Sequence, residues 1–261
     1  MKDDLTKFLG DWPYDPASVN ARVVEGSDAR PKIQLRLDLG ILQMEATGRP
    51  DGLRPRGAES ALDYHLIRAR TTRGPYELDG DACGELQQEA VQYYYRYLAR
   101  FNLRDYSGVV IDTQHNIDLF NFVAKHVEDD EIAWDFLQFM PYVLMMNARA
   151  KAELLAARGE RDGAVAEVLT GVRRIQEFWK EQGDEDMSGD CFEITTLKEL
   201  AETIRESKPR GALEGIREEL AYAVRTENFE RAAKLHDDLR RMESSATPPL
   251  PAPREPVRLK P

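Results

Sequence analysis

The sequence predicts a mainly α-helical protein, in which stacked antiparallel helical hairpins follow a small N-terminal β-hairpin. Three observations predict this class. Strict alternation of apolar and polar residues is confined to residues 33–41. Apolar residues recur at helical spacing from about residue 81 to residue 242, with short breaks between the helical stretches. A chain of 261 residues with 42% hydrophobic content is also long enough to bury a sizeable core.

The predicted β-element occupies residues 1–48. Five apolar residues alternate with mostly polar or small ones: Ile33, Leu35, Leu37, Leu39 and Ile41. This period of two is typical of a strand with one buried face. Val23 and Val24, with the turn-prone stretch EGSDARP after them, predict a partner strand. An isolated hairpin is marginally stable, so we expect the helices to support it.

Residues 49–80 are predicted to be an arginine-rich connecting segment with a short helix near 59–67. The segment carries six arginines: Arg49, Arg54, Arg56, Arg68, Arg70 and Arg73. They are candidate contacts for phosphate or for an acidic partner. The alternative is that they are solvated or paired with the many acidic residues of the chain.

Residues 81–182 are predicted to form the helical-hairpin body. Helices are expected at 85–101 and 109–127 as one antiparallel pair, and a second pair is expected to follow. Pro141 should kink or restart the first helix of the second pair, because proline cannot donate to the helical ladder. This organisation resembles the stacked helical hairpins of tetratricopeptide-like proteins.

The predicted inter-helix turns share a local pattern. An Asp or Asn is followed four residues later by a small or β-branched residue: Asp105 with Val109, Asp162 with Ala166, and Asn228 with Ala232. Small residues there would let two helices approach closely. The intervals between the pairs are unequal, which leaves a diverged repeat and ordinary helix-turn-helix chemistry as alternatives.

The first body helix carries a run of aromatic residues: Tyr93, Tyr94, Tyr95, Tyr97 and Phe101. Such a run could stack nucleobases beside the arginines. Adjacent helical positions point about 100° apart, so these rings cannot share one face. We therefore favour helix packing.

Residues 183–195 are predicted to be an acidic loop, and residues 196–243 the C-terminal helices. Residues 184–195 resemble a calcium loop, but Thr195 occupies the twelfth position, where a bidentate carboxylate is needed. We expect a solvated loop and no metal. Residues 244–261 are rich in proline and are predicted to be a disordered tail.

Charge and composition exclude several classes of function. The 36 basic and 47 acidic residues give a net charge of −11, which disfavours binding to phosphate backbones and anionic membranes. The N-terminus lacks the basic region of a signal peptide, so we expect a cytoplasmic protein with no membrane contact. Cys83 and Cys191 have no metal-ligand spacing and are expected to be reduced thiols.

The sequence contains no catalytic motif that we recognise. It has no GxSxG elbow, no GxGxxG and no phosphate-binding loop, and its four histidines lack the spacing of metal-binding helices. We therefore expect a non-enzymatic protein without a cofactor.

The stretch AVRTENFERAAKLHDDLRRME, residues 223–243, predicts the second half of a compact helical hairpin. Two apolar stripes support this, one from Leu213 to Val224 and one from Phe229 to Met242. The turn between them supplies capping side chains, and Ala232 allows close helix approach. Residues 211–243 thus form a predicted antiparallel hairpin.

This hairpin resembles the UVR motif, which occurs in the helicase and incision subunits of the bacterial excision nuclease, in the activator of protein arginine kinase and in some Clp-type unfoldases. The matching residues are Leu220, Ala223, Val224, Glu227, Phe229, Glu230, Ala232, Ala233, Leu235, Asp237 and Leu239. One departure is His236, where the motif usually has arginine before the aspartate. The chain carries none of the catalytic or zinc motifs of those proteins.

The resemblance implies a docking hairpin, because the motif mediates protein contacts in its family, including hairpin-to-hairpin pairing. The implied partner-binding residues are Leu220, Val224, Glu227, Phe229, Glu230, Ala232, Ala233, Leu235, His236, Asp237 and Leu239. The expected partner is another protein, with a UVR-containing protein or a second copy of this chain as candidates. Two alternatives stay open: the hairpin closes the helical stack, or the chain is a DNA-repair accessory that contacts nucleic acid through its arginines.

Overall fold

The computed structural model describes residues 5–206, 212–225 and 228–246. A small antiparallel sheet near the N-terminus precedes a stack of helices, which confirms the predicted fold class. The elements are α1 (Thr6–Gly10), β1 (Asn20–Glu25), β2 (Pro31–Arg36), β3 (Ile41–Glu45), α2 (Ala61–Thr71), α3 (Gly80–Asn102), α4 (Tyr106–His126), α5 (Asp130–Leu137), α6 (Met140–Ala157), α7 (Arg161–Glu181), α8 (Glu185–Gly189), α9 (Phe192–Glu206), α10 (Ala212–Arg225) and α11 (Phe229–Ala246).

The N-terminal sheet has three strands in the order β1, β2, β3, rather than the predicted two. The predicted single strand over 33–41 reverses direction at Leu37–Gly40, where the Leu37 N–H donates to the Gly40 carbonyl oxygen at 2.9 Å. Leu39 lies in this turn and is 86% exposed. The alternation continued across the turn because a leucine occupies its tip, although Asp38 and Gly40 are residues typical of turns.

The sheet packs against the C-terminal half of α3. Strand pairing places Val23 opposite Ile33 and Ile33 opposite Met44. Ile33 and Met44 form a small apolar cluster with Ala99 and Leu103 at the end of α3. The helices thus support the sheet as predicted, since a small sheet cannot bury both faces by itself.

The helical body is built around α6. The α3/α4 and α6/α7 pairs pack side by side, α4 also packs on α6, and α9 packs on α7. Because α6 has neighbours on several sides, much of its surface is buried: Met140, Pro141, Val143, Leu144, Met145, Met146, Asn147, Ala148, Ala150 and Ala152. Pro141 lies in the first turn of α6, just after α5 ends, which confirms the predicted restart.

The pattern predicted at the turns holds at two of three places, where Val109 and Ala232 are buried and the preceding Asp105 and Asn228 cap their helices. Asp105 accepts a hydrogen bond from the Gly108 N–H at 3.2 Å, and Asn228 accepts one from the Arg231 N–H at 3.2 Å. The prediction for the second turn was wrong, because Asp162 lies inside the first turn of α7 and Ala166 is exposed. The buried small residue there is Ala164, two positions earlier.

The C-terminal part also differs in detail from the prediction. The acidic loop contains the short helix α8, and α9 begins at Phe192, inside the predicted loop. Helix α11 continues to Ala246, past the predicted start of the tail. The remaining tail prediction, at 247–261, lies outside the described residues.

The aromatic run of α3 lies largely in helix contacts, as we favoured. Tyr93 and Tyr97 are buried, and Tyr94 packs with Tyr97 and Tyr142. Tyr93 stacks on His115 of α4, with ring centroids 3.7 Å apart.

The crossing of α6 and α7 requires glycine at 171. A Cβ at Gly171 would lie 2.4 Å from the Cβ of Ala148 and 3.1 Å from Cδ1 of Leu197.

We expect Gly171→Ala to push the helices apart and to lower the free energy of unfolding by about 1–3 kcal/mol in urea denaturation. Gly84→Ala is the matched control, because Gly84 is exposed on α3 with no atom within 4 Å of its Cβ position. This change should raise stability by up to about 1 kcal/mol. Equal effects of the two substitutions would contradict this account of the crossing.

Candidate functional site

Helices α10 and α11 form an antiparallel hairpin at the C-terminal end of the described chain. Ala223 of α10 and Ala232 and Leu235 of α11 are buried between the two helices. Ile216 and Leu220 are partly buried against them. Alanine on both helices allows their backbones to approach closely, as the sequence predicted for Ala232.

Polar residues fix the turn and register of the hairpin. The Asn228 N–H donates to the Ala223 carbonyl oxygen at 2.9 Å, which closes the turn. The Asn228 side chain then caps α11. Across the two helices, Arg231 forms an ion pair with Glu219 at 3.0 Å. The register is therefore set by a cap and a cross-helix pair around a small apolar core.

The hairpin contacts the body through α10. The Tyr222 hydroxyl donates to the carbonyl oxygen of Asn102, at the end of α3. The Arg104 guanidinium lies 4.9 Å from the centroid of the Tyr222 ring. At the other end, a Cβ at Gly215 would lie 3.3 Å from the Ala157 carbonyl oxygen, so α10 approaches the end of α6 closely.

The partner-binding residues implied by the resemblance separate into two groups. The inner group faces the hairpin core and comprises Leu220, Ala232 and Leu235. Leu239 is partly buried. The outer group is exposed and comprises Val224, Phe229, Glu230, Ala233, His236 and Asp237. Glu227 lies outside the described residues. A partner could touch the outer group directly, whereas the inner group would act by holding the two helices together.

Phe229 is the most notable member of the outer group. It is the first residue of α11 and is 69% exposed, with the exposed Val224 shortly before the turn. A large aromatic side chain in water loses the stabilisation of roughly 2 kcal/mol that burial would give. The outer surface of the hairpin therefore has apolar area that its own body leaves uncovered.

The candidate arginines of residues 49–73 are less available than the sequence suggested. Arg49 is buried, and its Nε lies 3.0 Å from Oε2 of Glu89. Arg54 pairs with Glu59, and Arg56 pairs with Glu85 at 2.8 Å. Arg68, Arg70 and Arg73 are exposed. The predicted six-arginine patch is therefore reduced, because an ion pair with a nearby acid neutralises much of the field of each paired arginine.

The structure also contains a buried ionic cluster that the sequence analysis missed. Arg96 of α3 and Asp112 of α4 form a bidentate pair at 2.7 and 2.9 Å, with Asp112 fully buried. Arg96 also donates to the carbonyl oxygens of Gly48 and Glu45, at 2.7 and 3.0 Å. Arg100 approaches the same Asp112 at 3.0 Å and pairs with Asp105 at 2.7 Å.

Glu89 forms the second half of this buried polar region. It is fully buried and accepts hydrogen bonds from the N–H groups of Ala61 and Leu62 at the start of α2, at 2.6 and 3.1 Å. His115 lies 3.0 Å away and Arg49 forms the ion pair already described. Burial by itself would raise the pKa of Glu89, but the hydrogen bonds from His115 and the two backbone groups hold that pKa below its ordinary value.

A sequence signal for this region existed. Glu89, Tyr93, Arg96 and Arg100 are spaced by four, three and four residues, which places them on one stripe of α3. The stripe lies next to buried apolar residues, so charged groups there require buried partners. The prediction for α3 depended on its aromatic residues and did not include the charges between them.

Neither a metal centre nor a reactive thiol is evident in the part of the chain that the structure describes. Within those residues, no group of three His, Cys, Asp or Glu side chains could hold a metal ion. The acidic segment instead uses Asp184 to cap α8, and Asp190 to accept from the Thr195 hydroxyl at 2.7 Å. Cys83 and Cys191 are free and buried, and burial raises the pKa of both thiols.

The fold and this site define a class of protein: a helical body that carries a compact, partly uncovered helical hairpin. The family model described as the UvrB/uvrC motif matches residues 211–245, which include α10 and most of α11. The chain therefore carries a UVR motif in its C-terminal region. Comparison of the chain with curated proteins and with solved structures gives no match. Among the described helices, none combines the length and the apolar composition needed to cross a bilayer.

The lowered pKa of Glu89 gives a testable pH dependence. Because the folded state favours the carboxylate, its stabilisation is present above the unfolded pKa of about 4.3 and is lost as pH falls through the lower folded pKa. We expect Glu89→Gln to lower the free energy of unfolding at pH 7 by about 3 kcal/mol, since Arg49 loses its buried counter-charge. The variant should also lose part of the decline in stability on acidification below about pH 5.

Urea denaturation followed by circular dichroism between pH 3 and pH 8 measures both effects. Glu85→Gln is the control on the same helix, because Glu85 pairs with the half-exposed Arg56 and should cost less than about 1 kcal/mol. A Glu89→Gln curve that runs parallel to wild type at every pH would contradict the assigned role.

Proposed function

We propose that this chain is a non-enzymatic adaptor that binds a partner protein through the outer surface of its UVR hairpin. The observation that carries the proposal is the exposure of Phe229 at the start of α11. The motif match at residues 211–245 supports a protein-protein or repair-associated interaction in general. The adaptor role is the more specific statement that we add.

The physical support comes from the different environments of the inner and outer apolar residues of the hairpin. The inner apolar residues pack against each other, so the fold does not need the outer apolar residues. Aromatic residues are enriched among the few side chains that dominate binding energies at interfaces. Phe229 with Val224 would supply an apolar centre, and Glu230 and Asp237 a polar rim.

The partner we propose is a protein with an amphipathic helical hairpin of its own, such as another UVR-containing protein. Two such hairpins could cover each other's apolar surfaces, as helices do in four-helix arrangements. A second copy of this chain meets the same requirement. The outer surface carries charges of both signs, with Glu230 and Asp237 beside the exposed Lys234, Arg240 and Arg241, so a partner would need an apolar patch with complementary charges around it.

A role as a DNA-repair accessory is the second proposal that the motif allows. Its nucleic-acid part would depend on Arg68, Arg70 and Arg73, the exposed members of the arginine set other than the ion-paired Arg54 and Arg56. The net charge of −11 opposes such binding. We therefore propose contact with repair proteins rather than with DNA, in the cytoplasm and without a cofactor.

Phe229→Asp tests the adaptor proposal. Phe229 is exposed and opens α11, where an acidic residue is favoured by the helix dipole, so the fold should keep its stability within about 1 kcal/mol. Partner capture from a lysate of the source cells, quantified by mass spectrometry, should fall at least about tenfold for specific partners.

Phe192→Asp is the matched control. Phe192 is also the first residue of a helix, α9, and is 71% exposed. The same chemical change at this equally exposed site should leave capture unchanged. Equal capture by wild type and both variants would reject the docking role of Phe229, and a loss of several kcal/mol in stability would assign Phe229 to the fold instead.

A further inference from the structure

A second surface of the body, distant from the UVR motif, has the features of a peptide-binding groove. The groove has a volume of about 590 Å³ and is bordered by α3, α4, α5 and α6. Its walls are mainly aromatic: Tyr94, Tyr95, Tyr97, Phe120, Phe136, Phe139 and Tyr142. Val91 and Phe139 are exposed along it. Burial raises the pKa of Tyr94 and Tyr142, so their hydroxyls stay protonated donors.

The polar groups of the groove are acidic or uncharged. Asp135 and Glu193 line it, and none of its described lining residues is a lysine or an arginine. Asn116 also lines it and is buried, and its Oδ1 has no hydrogen-bond donor within the described residues. A ligand that fits would therefore be apolar and extended, with positive charge and at least one N–H group.

The sequence of residues 247–261, TPPLPAPREPVRLKP, has this chemistry. It lies outside the described residues, and its composition is the relevant fact. It contains six of the chain's 14 prolines: Pro248, Pro249, Pro251, Pro253, Pro256 and Pro261. Proline-rich segments with a P-x-x-P spacing bind aromatic-lined grooves in an extended form, because little conformational entropy is lost. Pro248 and Pro251 have this spacing, and so do Pro253 and Pro256.

The charge of this segment is opposite to that of the groove and of the chain as a whole. Residues 247–261 carry Arg254, Arg258 and Lys260 against the single acid Glu255. The whole chain has a net charge of −11. The segment is thus a basic, proline-rich peptide attached to an acidic protein, and its leucine and alanine N–H groups could satisfy Asn116.

We propose that the tyrosine groove binds the proline-rich segment 247–261 of a second copy of this chain. The groove and the segment would then join two copies by a contact that is separate from the UVR hairpin. Reciprocal exchange of two segments would give two such contacts in one dimer, which raises the overall affinity above that of either contact.

The position of α11 favours a second copy as the source of the pair Pro248 and Pro251. Tyr142, at the groove, and Ala157, beside Gly215, are about 22 Å apart along α6. Helix α11 is antiparallel to α10 and longer than it, so Ala246 lies at the Gly215 end of the hairpin, roughly 22 Å or more from the groove. Pro248 and Pro251 lie within about 18 Å of Ala246 even in a fully extended chain, so this pair falls short of its own groove. Pro253 and Pro256 extend as far as about 36 Å, so the test also measures occupancy of the segment's own groove.

The first arm of the test measures peptide binding. A fluorescent peptide of residues 247–261 is titrated with the chain truncated after Ala246, and fluorescence anisotropy should rise to saturation. Val91→Arg places bulk and positive charge in the groove and should weaken binding at least about tenfold. Ile111→Arg is the control, since Ile111 is an exposed aliphatic residue on α4 that does not line the groove, and it should bind as the unmodified chain does.

The second arm measures assembly of the full chain by sedimentation velocity over a range of concentrations. All variants also carry Phe229→Asp, so that association through the hairpin does not contribute. We expect concentration-dependent dimers that are lost on truncation after Ala246 or with Val91→Arg, and that persist with Ile111→Arg.

Three results would overturn the proposal. The first is a peptide that fails to bind the truncated chain, and the second is equal binding by Val91→Arg and Ile111→Arg. The third is a full chain that stays monomeric and does not bind the peptide, although the truncated chain binds it. The segment would then occupy its own groove. Each result leaves the role of Phe229 in partner capture unaffected, so failure here is distinct from failure of the adaptor proposal.

Discussion

The buried ion pairs of Arg96 and Arg100 with Asp112 fix the relative positions of the sheet, α3 and α4. The two arginines project from one helix, share a carboxylate on the next, and hold carbonyl oxygens of the loop that follows β3. A buried guanidinium without partners would cost several kcal/mol, so the loop has to close over this cluster for the chain to fold. Glu89 fixes the start of α2 in a similar way, because its buried carboxylate accepts hydrogen bonds from two backbone N–H groups there. Charges together with apolar contacts thus specify where the N-terminal third joins the helical body.

The UVR hairpin follows a different principle. Its apolar core comprises few residues, and one ion pair and one cap set its register. Its connection to the body depends on Tyr222 and on the close approach at Gly215, both on α10. Helix α11 can therefore present most of its outer surface to a partner. A hairpin with a separate small core keeps its shape while that surface is free, which suits a docking element better than residues drawn from the main core.

The elements that follow a simple period could be predicted, and those that depend on distant contacts could not. The helices of the body, the restart at Pro141 and the C-terminal hairpin follow from apolar spacing, proline chemistry and the capping residue Asn228. The third strand was missed because Leu39 preserves the alternation through a turn, and a period of two carries no information on direction. Arg49 was misplaced for a related reason: its partner Glu89 is far away in sequence, and charge composition does not reveal which ions are buried together. The exposure of Phe229 likewise depends on how α10 meets the body.

The attachment of the hairpin has a mechanical consequence. Tyr222 bonds to the backbone at the carboxyl end of α3, and Arg104, just beyond that end, covers its ring. A partner that pulls on α11 would transmit the force across the hairpin core to this point. This force would then act along α3, the helix whose arginines donate hydrogen bonds to the loop after β3. Tension on the docking element would therefore reach the buried ion pairs of Arg96 and Arg100 with Asp112, and the sheet would move with the helix as one unit.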